Sequence, residues 1–380
     1  MLQATLEPGA VPSTNKQGLA SYADPTHLAV KPKRDAGYRL VLARSQHYTP
    51  LERTLAGQFI AELAGVVALS AGDYQADLIR AIPRRVVATH LDGGPALLSI
   101  LERLETWSSQ TYEGQRIVSS VGLDVERAAT GIALADLWDE PFGPVMTNGF
   151  DTLLVAGSDS EIKSLLQLAT GEQSKTAPYR MGEIACWTSG SRIAAVLNQR
   201  GEILVFQGQS LRFARRGGDW HHYVHETNIA RMSPPSDRNL REAIYESCLD
   251  VSFARSGGCI GVVKESHRNE VIELVSAGDL LSGEGNYKTR LLSRIIDGRP
   301  FQRLDRRARA ELLSLDGAMV LDRTGAILAA GAIIDVPSGS VGGGGRTAAA
   351  QRLSEIGLGV KVSQDGTITG FRDSARILQS

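Results

Sequence analysis

Two apolar runs near the carboxyl end of the chain are separated by a short polar interval. The two runs, residues 318–321 and 326–330, consist of apolar residues that are either small or common in β-strands. Residues 323–325 (RTG) lie between them. This pattern predicts two strands joined by a tight turn, in which Gly325 supplies the backbone freedom that the turn requires.

A glycine-rich loop and a helix-forming segment follow the second strand. The loop runs from Gly339 to Gly345, and residues 346–353 (RTAAAQRL) are good helix formers. A flexible loop that leads into a helix N-terminus points free N–H groups at one spot and can bind phosphate there. The alternative is a surface linker before an ordinary helix, because the glycine spacing fits neither the Walker P-loop nor the dinucleotide-binding fingerprint.

The first half of the chain alternates between strand and helix patterns after an irregular start. Residues 1–36 mix Pro, Ser, Thr, Lys and Gly without periodicity, which predicts a flexible N-terminal arm. Residues 37–170 predict an α/β domain. Its predicted strands are 38–44, 116–125 and 151–159, and its predicted helices are 51–70, 95–110 and 161–169.

Two proline-containing breaks, at 171–180 and 233–236, bound a strand-rich middle segment, residues 181–232. Within it, VLNQRGEIL at 196–204 repeats the pattern of VLDRTGAIL at 320–328. This similarity fits either a duplicated hairpin or the pattern common to hairpins with a glycine turn.

The middle segment also holds a histidine cluster. His221 and His225 would share one face if the segment is extended. One face of imidazoles suits a metal site, and the same residues also suit a partly exposed strand end.

Composition excludes several classes of protein. The 380 residues carry 41 basic and 42 acidic side chains, so the net charge of −1 provides no field that would recruit nucleic acid or an anionic membrane. No apolar run approaches the roughly 18 residues of a membrane span, and the N-terminus lacks a signal-peptide pattern. The three cysteines are widely separated, which favours core residues over a zinc site or disulfides. We therefore expect a cytoplasmic protein with no membrane partner and no clear nucleic-acid binding.

Three motifs together resemble the diadenylate cyclase family, the nucleotidyltransferase module of the DNA-integrity-scanning protein. They are Asp-Gly-Ala at 316–318, Arg-Thr-Ala at 346–348 and Val-Ser-Gln-x-Gly at 362–366. Residues 240–266 are also similar to the opening helix and first buried strand of that domain. The resemblance covers 237–373 and implies a mixed sheet flanked by helices, preceded here by an α/β domain with a sensor or regulatory role.

The same resemblance implies a site. Asp316 would be the catalytic residue and would bind Mg²⁺ or Mn²⁺, and the ligand would be ATP or a cyclic dinucleotide. A homo-oligomer is implied because each cyclase domain holds one ATP. The implied nucleotide-binding residues are Gly317, Ala318, Gly342, Gly343, Gly344, Gly345, Arg346, Thr347 and Ser363.

The sequence departs from the family in the residues just before the helix, and this difference leads to two hypotheses about function. The family has Arg-His-Arg before its helix, whereas this chain has Gly344-Gly345-Arg346, so one arginine and the histidine are absent. The chain is then either a divergent enzyme that condenses two ATP into cyclic di-AMP or an inactive cyclase-like nucleotide sensor. Arginines crowd the segment before Leu312, where they form a solvated helix face or replace the missing phosphate contact: Arg303, Arg306, Arg307 and Arg309.

Overall fold

The fold is mixed α/β, as the sequence predicts. A computed structural model describes residues 3–8, 19–20, 27–30, 38–43, 48–68, 75–126, 131–169, 174–232, 237–281, 286–336 and 344–380. The chain forms two compact units, one of residues 1–117, 121–144 and 155–164, and another of residues 118–120, 145–154 and 165–380. In the part of the chain that the structure describes, no helix is both long and apolar enough to cross a membrane.

The first unit contains a four-stranded sheet in the order β1-β4-β3-β2 and a group of helices. Its elements are β1 (Gln3–Pro8), β2 (Leu19–Ala20), β3 (His27–Val30), β4 (Tyr38–Ala43), α1 (Pro50–Ala68), α2 (Gln75–His90), α3 (Gly94–Trp107), β5 (Thr111–Tyr112), β6 (Gln115–Arg116) and α4 (Leu134–Asp139). Three of these strands, β1, β2 and β3, lie in the segment predicted to be a flexible arm. Their backbone partners come from pairing between strands, with β4 between β1 and β3, which the local composition does not reveal.

Three further strands, β7 (Ser119–Asp124), β8 (Thr152–Gly157) and β9 (Ile162–Gln167), contain residues of both units. The helix predicted at 161–169 is wrong, because this segment is β9. Ile162, Leu165 and Leu166 have helical spacing, but a turn with a Gly157 N–H to Glu161 carbonyl hydrogen bond of 2.9 Å leads directly into a strand. Exposure along β9 accordingly alternates with a period of two.

The middle segment begins with a short helix and continues as an antiparallel meander. Its elements are α5 (Gly182–Trp187), β10 (Ile193–Leu197), β11 (Ile203–Gln207), β12 (Ser210–Arg216), β13 (Asp219–His222) and α6 (His225–Arg231). The hairpins β10–β11 and 318–332 have the same turn. In the first hairpin, Asn198 Oδ1 accepts hydrogen bonds from two backbone N–H groups of the turn, and Asp322 Oδ1 does the same in the second. A glycine with positive φ lies three residues after the Asn or Asp in each turn. Turn chemistry therefore accounts for the repeated sequence pattern.

The carboxyl-terminal region is a six-stranded mixed sheet in the order β16-β15-β14-β17-β18-β19, with β14 and β15 parallel and the other neighbours antiparallel. The strands are β14 (Gly258–Val263), β15 (Ala318–Asp322), β16 (Ile327–Ala332), β17 (Gly357–Val362), β18 (Ile368–Arg372) and β19 (Ala375–Gln379). The helices are α7 (Arg238–Ala254), α8 (Val271–Leu274), α9 (Tyr287–Ile296), α10 (Arg306–Leu313) and α11 (Gly345–Glu355). The predicted hairpin and the predicted flanking helices are confirmed.

Alternate strand residues face opposite sides of this sheet. Ile260 and Met319 lie in an apolar core with residues of α7, α9 and α10, whereas Cys259 and Val320 pack with α11. A Cβ atom at Gly359 would collide with the carbonyl oxygen of Ala350. Glycine in β17 and alanine in α11 thus allow the helix to lie directly on the sheet.

Candidate functional site

Three chain segments meet at one end of the six-stranded sheet. Ser256 and Gly257 precede β14, residues 314–317 precede the parallel strand β15, and Ser363 follows the antiparallel strand β17, whose Val362 pairs with Gly258. The Ser256 and Ser314 hydroxyl oxygens are 2.7 Å apart, which ties the first two segments together. This end of the sheet is called the motif end below.

Asp316 reaches the motif end through an unusually close backbone approach. Gly317 has a φ of +101°, and a Cβ atom there would lie 2.5 Å from the carbonyl carbon of Gly331. Any side chain at 317 would push β15 and β16 apart, so glycine is required for packing as well as for its conformation. The Asp316 residue itself is exposed, which leaves its carboxylate available to a ligand.

Arg346 lies in the first turn of α11 and extends over the start of β14. A Cβ atom at Gly257 would lie 2.6 Å from Arg346 Nη1, so the missing side chain at 257 makes room for the guanidinium. Among the described residues, the buried Nε of Arg346 has no hydrogen-bond partner. Burial raises the pKa of the neighbouring Cys259 thiol to about 12, and the positive charge of Arg346 opposes that rise.

Thr347 is held by a cation that sequence reasoning missed. Lys361 lies on β17, directly opposite Cys259 on β14, and its Nζ donates to Thr347 Oγ1 at 2.8 Å. The signal was present in the sequence as a lysine between Val360 and Val362, within a strand that is otherwise buried. A charged residue in such a strand is unusual enough to mark a site.

The other predicted residues divide into three groups. Ala318 is buried in the core beside α11, so its side chain does not reach the surface. Gly344 and Gly345 are exposed at the start of α11, with open space where a Cβ atom would be. Gly342 and Gly343 lie outside the described residues.

Two arginines of the crowded segment are engaged in ion pairs inside the protein and so do not replace the phosphate contact that the resemblance implies. Arg306 pairs with Asp250 of α7 at 2.8 Å, and Arg309 pairs with Glu246 one turn earlier on α7. Arg306 also donates to the carbonyl oxygens of Ser174 and Ala177. The solvated-face alternative is wrong for these two residues as well, because both serve internal ion pairs.

The histidines do not form a metal site. His225 is buried at the start of α6, where one ring nitrogen lies 2.6 Å from the Leu211 carbonyl oxygen and the other 2.9 Å from the Tyr245 hydroxyl. Because a carbonyl only accepts, Nε2 carries the proton and Nδ1 accepts from Tyr245. The described residues contain no group of three or more His, Cys, Asp or Glu side chains suited to a metal ion.

A divalent metal carried by a nucleotide still fits Asp316. Mg²⁺ commonly uses one or two protein carboxylates, with water and phosphate oxygens completing its coordination. The exposed carboxylate of Asp316 meets that need without a preformed cluster.

Comparison with known proteins adds little to these observations. No known protein family matches the chain, and no curated protein matches it by sequence. Among solved structures, a crystal structure of a double mutant of DacA from Staphylococcus aureus is similar at 23% sequence identity and a TM-score of 0.25, covering 36% of this chain and 85% of that one. The candidate site therefore rests on the contacts of its own residues.

Proposed function

We propose that the carboxyl-terminal sheet binds an adenine nucleotide at the motif end and uses Asp316 and a divalent metal to condense two ATP into cyclic di-AMP. Each 3′-hydroxyl would attack the α-phosphorus of the other ATP and displace pyrophosphate, so that two pyrophosphates leave for each cyclic di-AMP formed. The observation that supports this proposal is the meeting of two distant motifs. The segment holding Asp316 and the helix turn holding Arg346 both border the start of β14, through the Ser256–Ser314 contact and the Arg346–Gly257 contact. Phosphoryl transfer requires a metal ligand and phosphate-binding cations in one place.

The residues would divide the chemistry as follows. Arg346, Thr347 and the N–H groups at the start of α11 would bind phosphate oxygens, where the helix dipole also favours negative charge. Asp316 would bind the metal and orient the attacking 3′-hydroxyl, and Ser363 would line the same pocket. A bound divalent metal would compensate the negative charge that develops on the phosphate during the reaction. Two copies of the chain would face each other, because each would contribute one ATP.

A second candidate function is nucleotide sensing without turnover. The observation that favours it is the pair Gly344 and Gly345, which offers backbone N–H groups but no side-chain cation. Such a site can bind a phosphate in the ground state while leaving transition-state charge poorly compensated. The first unit would then pass on or receive the signal.

The deciding experiment uses the full chain. ATP binding is measured by calorimetry with Mg²⁺ or Mn²⁺, and products are separated by chromatography after incubation with ATP. Asp316→Asn should abolish any cyclic di-AMP synthesis, whereas Asp297→Asn, a matched change at another exposed carboxylate, should not alter it. Binding without product favours the sensor, and absence of binding refutes both candidates.

A further inference from the structure

Lys361 is the cation that stands beside Arg346 at the motif end. Its ammonium group donates to Thr347 Oγ1, one residue along α11 from Arg346. Burial raises the pKa of Cys259, which pairs with Lys361 from the adjacent strand β14, and the positive charge of Arg346 opposes that rise. Both cations therefore lie on the α11 side of the sheet. We propose that Lys361 is the second phosphate-binding side chain of the site, in place of the basic residues missing at 344 and 345. This inference rests on the proposed nucleotide function.

The position of Lys361 in the sheet supports a role beyond packing. Its neighbours along β17 are Val360 and Val362, both completely or almost completely buried, while Lys361 is only half-buried. An apolar residue would continue the strand at no electrostatic cost, whereas an ammonium group here requires a polar partner. Thr347 supplies one hydroxyl, which leaves two of the three donors of the ammonium for other acceptors.

No described carboxylate lies within ion-pair distance of either Arg346 or Lys361. The charge of Lys361 does act on Asp365, whose pKa is lowered mainly by the Thr367 backbone N–H, with smaller contributions from the Thr367 side chain, Arg255 and Lys361. Two cations beside a helix N-terminus and without a bound carboxylate create a local positive potential in a chain whose net charge is −1. An anion with several oxygens, such as a polyphosphate, fits this arrangement, because it can bridge Lys361 Nζ, the Arg346 guanidinium and the α11 N–H groups.

The Lys361–Thr347 hydrogen bond also suggests how the ammonium is kept in place. Thr347 is in the first turn of α11, and its own N–H donates to the Gly344 carbonyl oxygen at 2.8 Å. The hydroxyl therefore holds a flexible lysine side chain at the helix terminus before a ligand arrives. Restricting the side chain in this way lowers the entropy cost of binding.

The test measures binding of ATP and of inorganic tripolyphosphate to the full chain by calorimetry, with Lys361→Met as the main variant. Lys264→Met is the matched control, because Lys264 follows β14 at the other end of the sheet and lies 3.8 Å from Asp373. We expect Lys361→Met to lower the affinity for both ligands on the order of 10- to 100-fold, because charge-assisted hydrogen bonds are stronger than those between neutral groups. Lys264→Met should leave both affinities unchanged.

Lys361→Arg guards against a folding defect. It keeps the charge, so it should retain most of the tripolyphosphate affinity, within roughly 10-fold of the unaltered chain. If Lys361→Met does not fold, Lys361→Arg and Lys361→Gln take its place, and the charge-retaining variant must bind more tightly than the neutral one.

Each outcome decides between the two proposals. If ATP binds equally to the unaltered chain and to Lys361→Met, the role of Lys361 is wrong while the nucleotide function stands. If tripolyphosphate binds in a Lys361-dependent manner but ATP does not bind, the nucleotide function is wrong while Lys361 remains an anion-binding residue. If neither ligand binds to the unaltered chain, both proposals are overturned.

Discussion

Arg216 on β12 donates from Nη1 to the carbonyl oxygen of Gly366 at 3.2 Å, in the turn between β17 and β18. The Ser252 hydroxyl on α7 donates to the same oxygen. Arg216 is itself buried and donates from Nε to Glu202 at 3.0 Å. Ser363 begins this turn, so the buried Arg216–Glu202 ion pair of the middle segment helps to fix the position of one segment of the motif end.

Replacement of Gly366 by alanine should disrupt this contact. Gly366 has a φ of +84°, and a Cβ atom there would collide with the Arg216 guanidinium. The variant therefore suffers both backbone strain and displacement of a buried charge, so we expect a loss of about 3–5 kcal/mol in the free energy of unfolding. Urea unfolding at pH 7.5 measures this loss.

Gly298→Ala is the matched control for Gly366→Ala. Gly298 also has a positive φ, of +64°, but a Cβ atom there meets open space. Backbone strain alone should cost about 1 kcal/mol. Equal losses in the two variants would show that the Arg216 contact contributes nothing to stability.

His225 should make the stability of the second unit dependent on pH. Burial lowers the pKa of His225 to about 4, because the imidazolium would lose its hydration. In the unfolded chain the pKa is near 6.5, so the unfolded state binds the proton first. The resulting stability is fully present above about pH 6.5 and is lost as the pH falls towards 4, with a loss of about 2 kcal/mol between pH 8 and pH 5.

Urea unfolding at those two pH values checks the His225 prediction. His225→Gln removes the titrating ring, so the free energy of unfolding of the variant should change less between the two pH values. The variant should also be less stable at pH 8, because it lacks the hydrogen bonds of His225 with Leu211 and Tyr245. A pH dependence that is identical in both proteins would exclude His225 as its source.

Features that depend on interactions between residues close in sequence can be predicted from the sequence, whereas features that depend on residues distant in sequence cannot. Local chemistry was sufficient for the β15–β16 hairpin, because Asp322 and Gly325 determine its turn within five residues. Local spacing misled at β9, where the pairing of strands outweighed a helical pattern. The pairing of β14 with β17, which brings Lys361 beside Thr347, depends on contacts distant in sequence and could not be read from periodicity.

Arg306 should be essential to the stability of the second unit. Its guanidinium binds both carboxylate oxygens of Asp250 and two backbone carbonyl oxygens, of Ser174 and Ala177. Arg306→Met leaves a buried carboxylate without its cation, which should cost about 3–5 kcal/mol. Arg303→Met, at an exposed arginine of the same cluster, should cost less than about 0.5 kcal/mol. A loss of similar size in both variants, measured by urea unfolding, would contradict the assignment of a structural ion pair.

Gly344 and Gly345 offer a direct test of what the site lacks. Both positions are exposed, and a Cβ atom at either meets open space, so Gly344→Arg with Gly345→His adds a guanidinium and an imidazole without a steric cost. Side-chain cations that reach the phosphate should stabilise the transition state, and we expect turnover of ATP to rise on the order of 100-fold. Gly344→Ala with Gly345→Ala makes the same backbone change without charge and should leave turnover unaltered. Synthesis of cyclic di-AMP by chromatography and ATP affinity by calorimetry are measured on the same samples. A gain in affinity without a gain in product would favour the sensor, because the added side chains would then stabilise the bound nucleotide and not its reaction.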